Sequence, residues 1–217
     1  MRIRTGLPED LDRITAVEAA CFPPAEAATA EDFAGRLAHY AGHFWLLEDD
    51  DGTLLSFVDG MVSDEPVIRD EMYADASLHH EQGAWQMIFG VNTLPQHRGM
   101  GYAGELLRRV IADAKSQGRK GCVLTCKDAL VPYYERFGFR NEGRSASVHG
   151  GAVWYDMRLT FAFPHFRYFR TRWASVTASP IFTRSGRIKG ITHIATAAPT
   201  SMGPAVYTAM NQAVPKA

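Results

Sequence analysis

Apolar positions recur along the chain at two spacings. Over residues 8–20, Leu11, Ile14, Val17 and Glu18 follow a helical period. Pro8 suits the first turn, and Glu9 and Asp10 suit its positive end. Cys21-Phe22-Pro23-Pro24 stops this helix in an extended turn. A second helix is predicted over 29–40, with Phe33 and Leu37 inward. Residues 44–48 and 54–62 read as strands joined by the turn Asp49-Asp50-Asp51-Gly52. Residues 70–80 are expected to form a weak helix, and 85–94 a buried strand that Pro95 ends. The clearest helix is 102–117, with a stripe of Leu106, Leu107, Val110, Ile111 and Ala114, capped by Gly118. A buried strand over 121–126, a short helix over 128–137 and closing strands over 138–143 and 153–159 complete the pattern. Strand, two helices, hairpin, strand, helix, strand, helix, strand, strand is an α+β order around one mixed sheet.

Composition adds a boundary. The chain has 217 residues, 46% hydrophobic and 22% charged, enough to bury a core without cross-links. Residues 160–217 hold seven basic residues and no acidic one, so the overall charge of −1 leaves about −8 on residues 1–159. The domain is therefore expected to end at Leu159, followed by a basic extension. Its aromatic and basic stretch, residues 161–173, is expected to pack on its own domain or stay without order. A net charge of −1 gives no reason to expect nucleic acid or an anionic membrane as partner. The first ten residues lack the apolar core of a secretory signal, and no run approaches a membrane span, so a cytoplasmic protein is expected. Cys21, Cys122 and Cys126 form neither a disulfide framework nor, without a second ligand pair, a zinc site.

The strongest chemistry lies between the strand 85–94 and the helix 102–117, in Gln96-His97-Arg98-Gly99-Met100-Gly101. A glycine loop that opens a helix presents several backbone N–H groups and the helix's partial positive charge to one point, which suits a phosphate. No Gly-Lys-Ser/Thr follows, and the third glycine of a dinucleotide fold is missing. Downstream, Thr125 to Phe139 runs from a strand into a helix with two tyrosines and leaves through Phe137-Gly138-Phe139.

These segments carry a resemblance. Residues 96–101 match the Gln/Arg-x-x-Gly-x-Gly/Ala acyl-CoA loop of the GNAT acetyltransferase superfamily. Tyr134-Glu135-Arg136-Phe137-Gly138-Phe139 matches its closing Tyr-x-x-x-Gly-Phe segment. From about Arg2 to Leu159 the chain resembles that superfamily. In residues 125–137 it resembles the arylalkylamine (serotonin-type) N-acetyltransferases, on their microbial side. The resemblance implies a GNAT fold: a mixed, mostly antiparallel sheet with helices on both faces, splayed between the fourth and fifth strands. It implies acetyl-CoA as acyl donor, held by Asn92, Thr93, Leu94, Gln96, His97, Arg98, Gly99, Met100, Gly101, Tyr102 and Ala103. Tyr134 would protonate the leaving sulfur. Residues 148–157 would be the final strands, and Cys21 to Pro24 would lie in a loop over the substrate. The acceptor would be a small primary amine against Phe22, Pro23, Phe57, Met61 or Trp85.

Vertebrate arylalkylamine enzymes carry two histidines where this chain has Ile88 and Gly90. The proton acceptor must therefore come from elsewhere, with Glu18, Asp59, His79, His80 or a water relay as candidates. Two other readings stay open: a protein or peptide N-acetyltransferase, and a CoA-binding regulatory module with little catalysis. The oligomeric state is also open.

Overall fold

The computed structural model describes residues 1–162. The predicted extension lies outside the described residues beyond Ala162. The folded part runs slightly past Leu159, because Phe161 is buried and its N–H donates to the Lys120 carbonyl at 2.8 Å.

The elements in chain order are β1 (Arg2–Thr5), α1 (Leu11–Cys21), α2 (Ala30–Tyr40), β2 (Phe44–Glu48), β3 (Leu54–Asp59), β4 (Val62–Ser63) and α3 (Glu71–Ala74). They continue with β5 (Trp85–Ile88), β6 (Gly90–Thr93), α4 (Tyr102–Ser116), β7 (Gly121–Cys126), α5 (Val131–Glu135), β8 (Arg140–Arg144) and β9 (Tyr155–Thr160). The fold is the α+β GNAT arrangement. β1, β2, β3 and β6 form an antiparallel sheet in that order; β4, β5, β7, β9 and β8 form the second, in which only β5 and β7 run parallel.

One irregularity joins the two sheets. Asp59 pairs with Gly90 and Val62 with Gln86, so residues 85–93 carry one more residue than the strand they face. The ladder continues across the gap through Met87 N–H to the Met61 carbonyl and Phe89 N–H to the Asp59 carbonyl, both 2.8 Å. This is a β-bulge at Phe89, and it switches which face each side chain takes. Before it, Trp85 and Met87 pack toward α1 and α2; after it, Val91 packs toward α4. The predicted single strands 54–62 and 85–94 are each divided there.

The bulge also opens the sheet. β5 pairs with β7 only from Trp85 opposite Gly121 to Ile88 opposite Leu124. Beyond that point β6 stays with β3, while Thr125 and Cys126 stay with β9. The wedge between β6 and β7 is the expected splay between fourth and fifth strands.

Helices cover both faces. Leu106, Leu107, Val110 and Ala114 of α4 fill one core, and Trp45 donates to Asp113 at 2.8 Å. Ile14 and Val17 of α1 with Phe33, Leu37 and Tyr40 of α2 fill the other. α2 starts where its sequence says: Asp32 N–H donates to Thr29 Oγ1 at 3.1 Å and Thr29 N–H to Asp32 Oδ2 at 2.8 Å, a reciprocal cap. Residues 70–80 form the single turn α3 and a short 3-10 turn instead of one helix. The final strand begins at Tyr155, not Val148, because His149 to Gly151 make a 3-10 turn. No helix among the described residues is long and apolar enough to cross a membrane.

Candidate active site

Two hollows open along the wedge. The larger is a cleft of about 670 Å³ between the loop before α4, the edge of β6 and the start of α5. Gly99 and Gly101 adopt φ of 81° and 88°, and neither has an atom within 4 Å of where a Cβ would stand. The loop surface is thus open to a close backbone approach. Arg98 N–H is bound to the Pro95 carbonyl and Glu105 N–H to the Gly101 carbonyl. Among the described residues, the amides of 99–104 between them have no acceptor. They stand at the N-terminus of α4, whose 15 residues place partial positive charge there. A pyrophosphate fits this cradle.

Of the residues expected to hold the acyl donor, Thr93, His97, Arg98, Gly99, Gly101, Tyr102 and Ala103 line the cleft. Gln96 and Met100 lie in the same loop but face solvent. Leu94 leans on the α1–α2 core and donates its N–H to the Leu55 carbonyl at 3.0 Å. Asn92 is fully buried, and the bulge turns its side chain to the other side of β6. The Thr93 carbonyl accepts from Cys21 Sγ and from Arg98 Nε, each at 3.3 Å. Arg98 and the end of α1 are thereby drawn to the cleft.

Tyr134 lines the same cleft, 7% exposed, with Tyr133 edge-on to it at 5.2 Å. α5 presents it, one 3-10 turn after β7. Burial, helped by Cys126 and Tyr133, pushes its hydroxyl well above the usual tyrosine range, so it is protonated at neutral pH. Its hydroxyl has no hydrogen-bond partner among the described residues and is free to donate.

The second hollow is a cavity of about 200 Å³ on the α1–α2 side of the wedge. Phe22 lines both hollows. The floor of the cavity is polar and closely packed. Glu18 Oε1 accepts from Ala28 N–H at 3.0 Å, while Oε2 is buried without a partner. Asp59 Oδ2 accepts from Arg36 Nη1 at 2.9 Å, while Oδ1 is buried without a partner. Both polar atoms of the Asn92 side chain are likewise unpartnered. Such atoms are costly unless a ligand or water meets them. A Cβ at Gly90 would stand 2.7 Å from Asp59 Oδ1 and 2.8 Å from Asn92 Nδ2. The place of a side chain at position 90 is therefore taken by this polar cluster. Burial, with the charge of Asp59, pushes the Glu18 carboxyl up to about 7, against the pull of Ala28 N–H, Arg36 and the nearby Asn92 amide.

The walls of the cavity are aromatic, and the loop after α1 is tied down beside them. Phe89 and Tyr73 lie 4.7 Å apart by ring centroids, and His149 stacks on Tyr73 at 5.0 Å. Trp154 Nε1 donates to the His149 carbonyl at 2.9 Å. His149 Nε2 donates to the Glu26 carbonyl at 3.1 Å, and Glu26 Oε1 meets Lys127 Nζ at 2.8 Å. The loop after α1 is thus fastened to the far side of the wedge.

Phe57 and Met61 are fully buried in the core, and Trp85 is 9% exposed there; none lines the cavity. Pro23 is exposed beside it. Glu18 and Asp59 are brought together, while His79 and His80 are not. His79 belongs to a separate cluster with His43 and Glu81. Val62 N–H donates to His79 Nδ1 at 3.1 Å, so the ring carries its proton on Nε2, which donates to Glu81 at 3.1 Å. That tautomer makes the cluster a hydrogen-bonded one. Arg36, Tyr73, Thr125, His149 and Trp154 line the cavity without having been singled out for it in the sequence.

Comparisons with known proteins bear on the family and the fold. The chain is 29% identical over 112 residues to a serotonin N-acetyltransferase from Mesocricetus auratus, covering 51% of this chain and 53% of that protein. It is 29% identical over 131 residues to a probable N-acetyltransferase family 8 member 5 from Mus musculus, covering 58% and 49%. It thus spans about half the length of the curated relatives it matches. Among solved structures, a GNAT-like decarboxylase, GphF, in complex with isobutyryl-CoA superposes with a TM-score of 0.61 at 21% identity, covering 74% of this chain and 99% of that one. The family described as acetyltransferase (GNAT) matches residues 11–139, from the start of α1 to the Gly138-Phe139 exit. With the loop, the wedge and the tyrosine in place, the chain belongs to the acetyltransferase (GNAT) family.

Proposed function

We propose that the chain is an acetyl-CoA-dependent N-acetyltransferase whose acceptor is a small primary amine of arylalkylamine type. The observation that carries this reading is the meeting of two hollows on one wedge. One has a phosphate cradle and a protonated tyrosine; the other has buried, unpartnered carboxylate oxygens inside aromatic walls. The loop amides and Arg98 hold the pyrophosphate, and the edge of β6 at Val91 and Thr93 holds the pantetheine arm. The amine nitrogen attacks the thioester carbonyl, forming the C–N bond as the C–S bond breaks. Tyr134 gives its proton to the departing sulfur and regains one from the acylated nitrogen.

The cavity favours a small acceptor over a polypeptide. It is small, about 200 Å³, and the Glu26–Lys127 and Glu26–His149 contacts tie down the loop after α1 that helps line it, where a peptide substrate needs an open groove. Carboxylates suit an ammonium group, and the rings of Phe22, Phe89, Tyr73 and Trp154 suit an aromatic or aliphatic body.

Release of free CoA thiol from acetyl-CoA with a panel of phenylethylamine, tryptamine, polyamines, amino acids and a lysine peptide tests the proposal. Turnover confined to arylalkylamines supports it. Turnover on the peptide alone replaces the substrate class, and binding of acetyl-CoA without any turnover favours a regulatory module.

A further inference from the structure

We propose that Glu18 is the group that takes the proton from the acceptor ammonium. This rests on the function proposed above and names a catalytic residue for it. Glu18 lines the cavity one helical turn before Cys21 and Phe22, which line the acyl-donor cleft, and Phe22 lines both hollows. Its Oε1 is fixed by Ala28 N–H, which leaves the unpartnered Oε2 for a ligand. The side chain is almost wholly buried. A carboxylate held in this way is desolvated and oriented before the amine arrives.

The groups around it set its proton affinity. Asp59 of β3 faces it with like charge, and Arg36 of α2 offsets that charge while holding Asp59 in place. Asn92 of β6 is neutral, its amide near enough to favour the charged carboxylate, and Cys21 on its own helix is a thiol that burial keeps protonated. Tyr73 is held protonated by burial, its hydroxyl pushed up to about 12. Asp32, Glu26, Asp70 and His149 ring the rest of the cavity. Asp59 is paired with the Arg36 cation, which pulls against the rise its burial causes, whereas Glu18 Oε1 takes only a neutral N–H, so Asp59 acts as a positioning residue. His149 is the rival, but its Nε2 is committed to the Glu26 carbonyl.

In the step, the ammonium loses one proton to Glu18 Oε2, and the lone pair so freed attacks the acetyl carbon. Glu18 returns that proton to solvent after the product leaves. The second nitrogen proton passes to Tyr134 as the thiol forms, so one proton is released per turnover.

The experiment is the pH dependence of kcat/KM for wild type, Glu18→Gln and His149→Gln, with acetyl-CoA and two acceptors. One acceptor is phenylethylamine; the other is 2,2,2-trifluoroethylamine, which reaches the enzyme already neutral. Because kcat/KM reports groups of the free enzyme, wild-type activity on phenylethylamine rises with pH through a limb near pH 7, where Glu18 loses its proton, while trifluoroethylamine, already neutral, lacks that limb. In E18Q that limb vanishes. Phenylethylamine turnover falls by about a hundredfold or more, trifluoroethylamine turnover falls far less, and acetyl-CoA binding is unchanged. An equal loss for both amines at every pH makes Glu18 a structural residue and overturns the proposal. So does a limb that persists in E18Q and disappears in H149Q. Absence of the limb in wild type overturns it without any variant, which covers an E18Q that does not fold. Absence of wild-type turnover on any amine overturns the function itself.

Discussion

Arg36 binds Asp59 through a single 2.9 Å bond from Nη1 to Oδ2, and its Nη2 binds the Tyr73 carbonyl at 2.8 Å. One buried cation thus ties α2, β3 and α3 together beneath the acceptor cavity, packed between the rings of Phe33 and Phe89 at 5.3 and 5.2 Å. Removing one partner of a buried pair strands the other's charge. Arg36→Met is expected to cost about 3–5 kcal/mol, and the double change Arg36→Met with Asp59→Leu distinctly less. Urea unfolding of both variants checks this; equal losses mean that the pair is not what holds the three elements.

In the proposed reaction Tyr134 offers the proton that the departing sulfur needs. Tyr134→Phe keeps the ring in its packing but is expected to lower kcat about a hundredfold, with acetyl-CoA affinity nearly unchanged. Rates and calorimetric binding measured on one preparation separate the two. Full activity in the variant removes Tyr134 from the mechanism.

Gly101 holds a φ of 88° at the mouth of the phosphate cradle, with open space around it. An alanine there meets no atom but must adopt a left-handed backbone, at about 1–2 kcal/mol. Gly101→Ala is expected to raise the KM for acetyl-CoA about tenfold while kcat changes little. A lower melting temperature with an unchanged KM places the cosubstrate elsewhere.

Acid should loosen the β1–α1 corner. Arg4 binds Asp10 through two 2.6 Å bonds and Glu48 at 2.7 and 3.1 Å, and Arg13 joins both. Burial raises the Asp10 carboxyl, but Arg4, the Leu7 amide and Arg13 outweigh it and hold it below the usual range. Arg4 does the same for Glu48. Groups lowered in the folded state stabilise it fully above their unfolded values of about 4, and that stability fades as pH falls through the folded values. Melting temperatures of wild type and Glu48→Gln are therefore expected to converge below about pH 4 and diverge above it. Parallel curves contradict this.

Part of the candidate site was legible because Glu18, an ionisable residue, continues the apolar stripe of Leu11, Ile14 and Val17. Arg36 was not singled out, although it falls between Phe33 and Leu37 at helical spacing. A charge on a core face must find a partner or a ligand. The bulge at Phe89 was not legible, since one extra residue changes no local preference yet exchanges the faces of Asn92 and its neighbours. That is why Asn92, assigned to the acyl donor, lies with Glu18 and Asp59 instead. Position 149 carried no local sign either, because its role comes from a loop meeting another loop more than a hundred residues away.

The sequence by itself determined the strand–loop–helix that offers free N–H groups to a phosphate, and the tyrosine that follows β7. Both depend on backbone geometry and spacing within a few consecutive residues. Only the tertiary structure decided the acceptor side. Glu18, Asp59 and Asn92 come from three separate elements, and what makes their carboxylates chemically useful is shared desolvation, a property of the packed cavity and of no one segment.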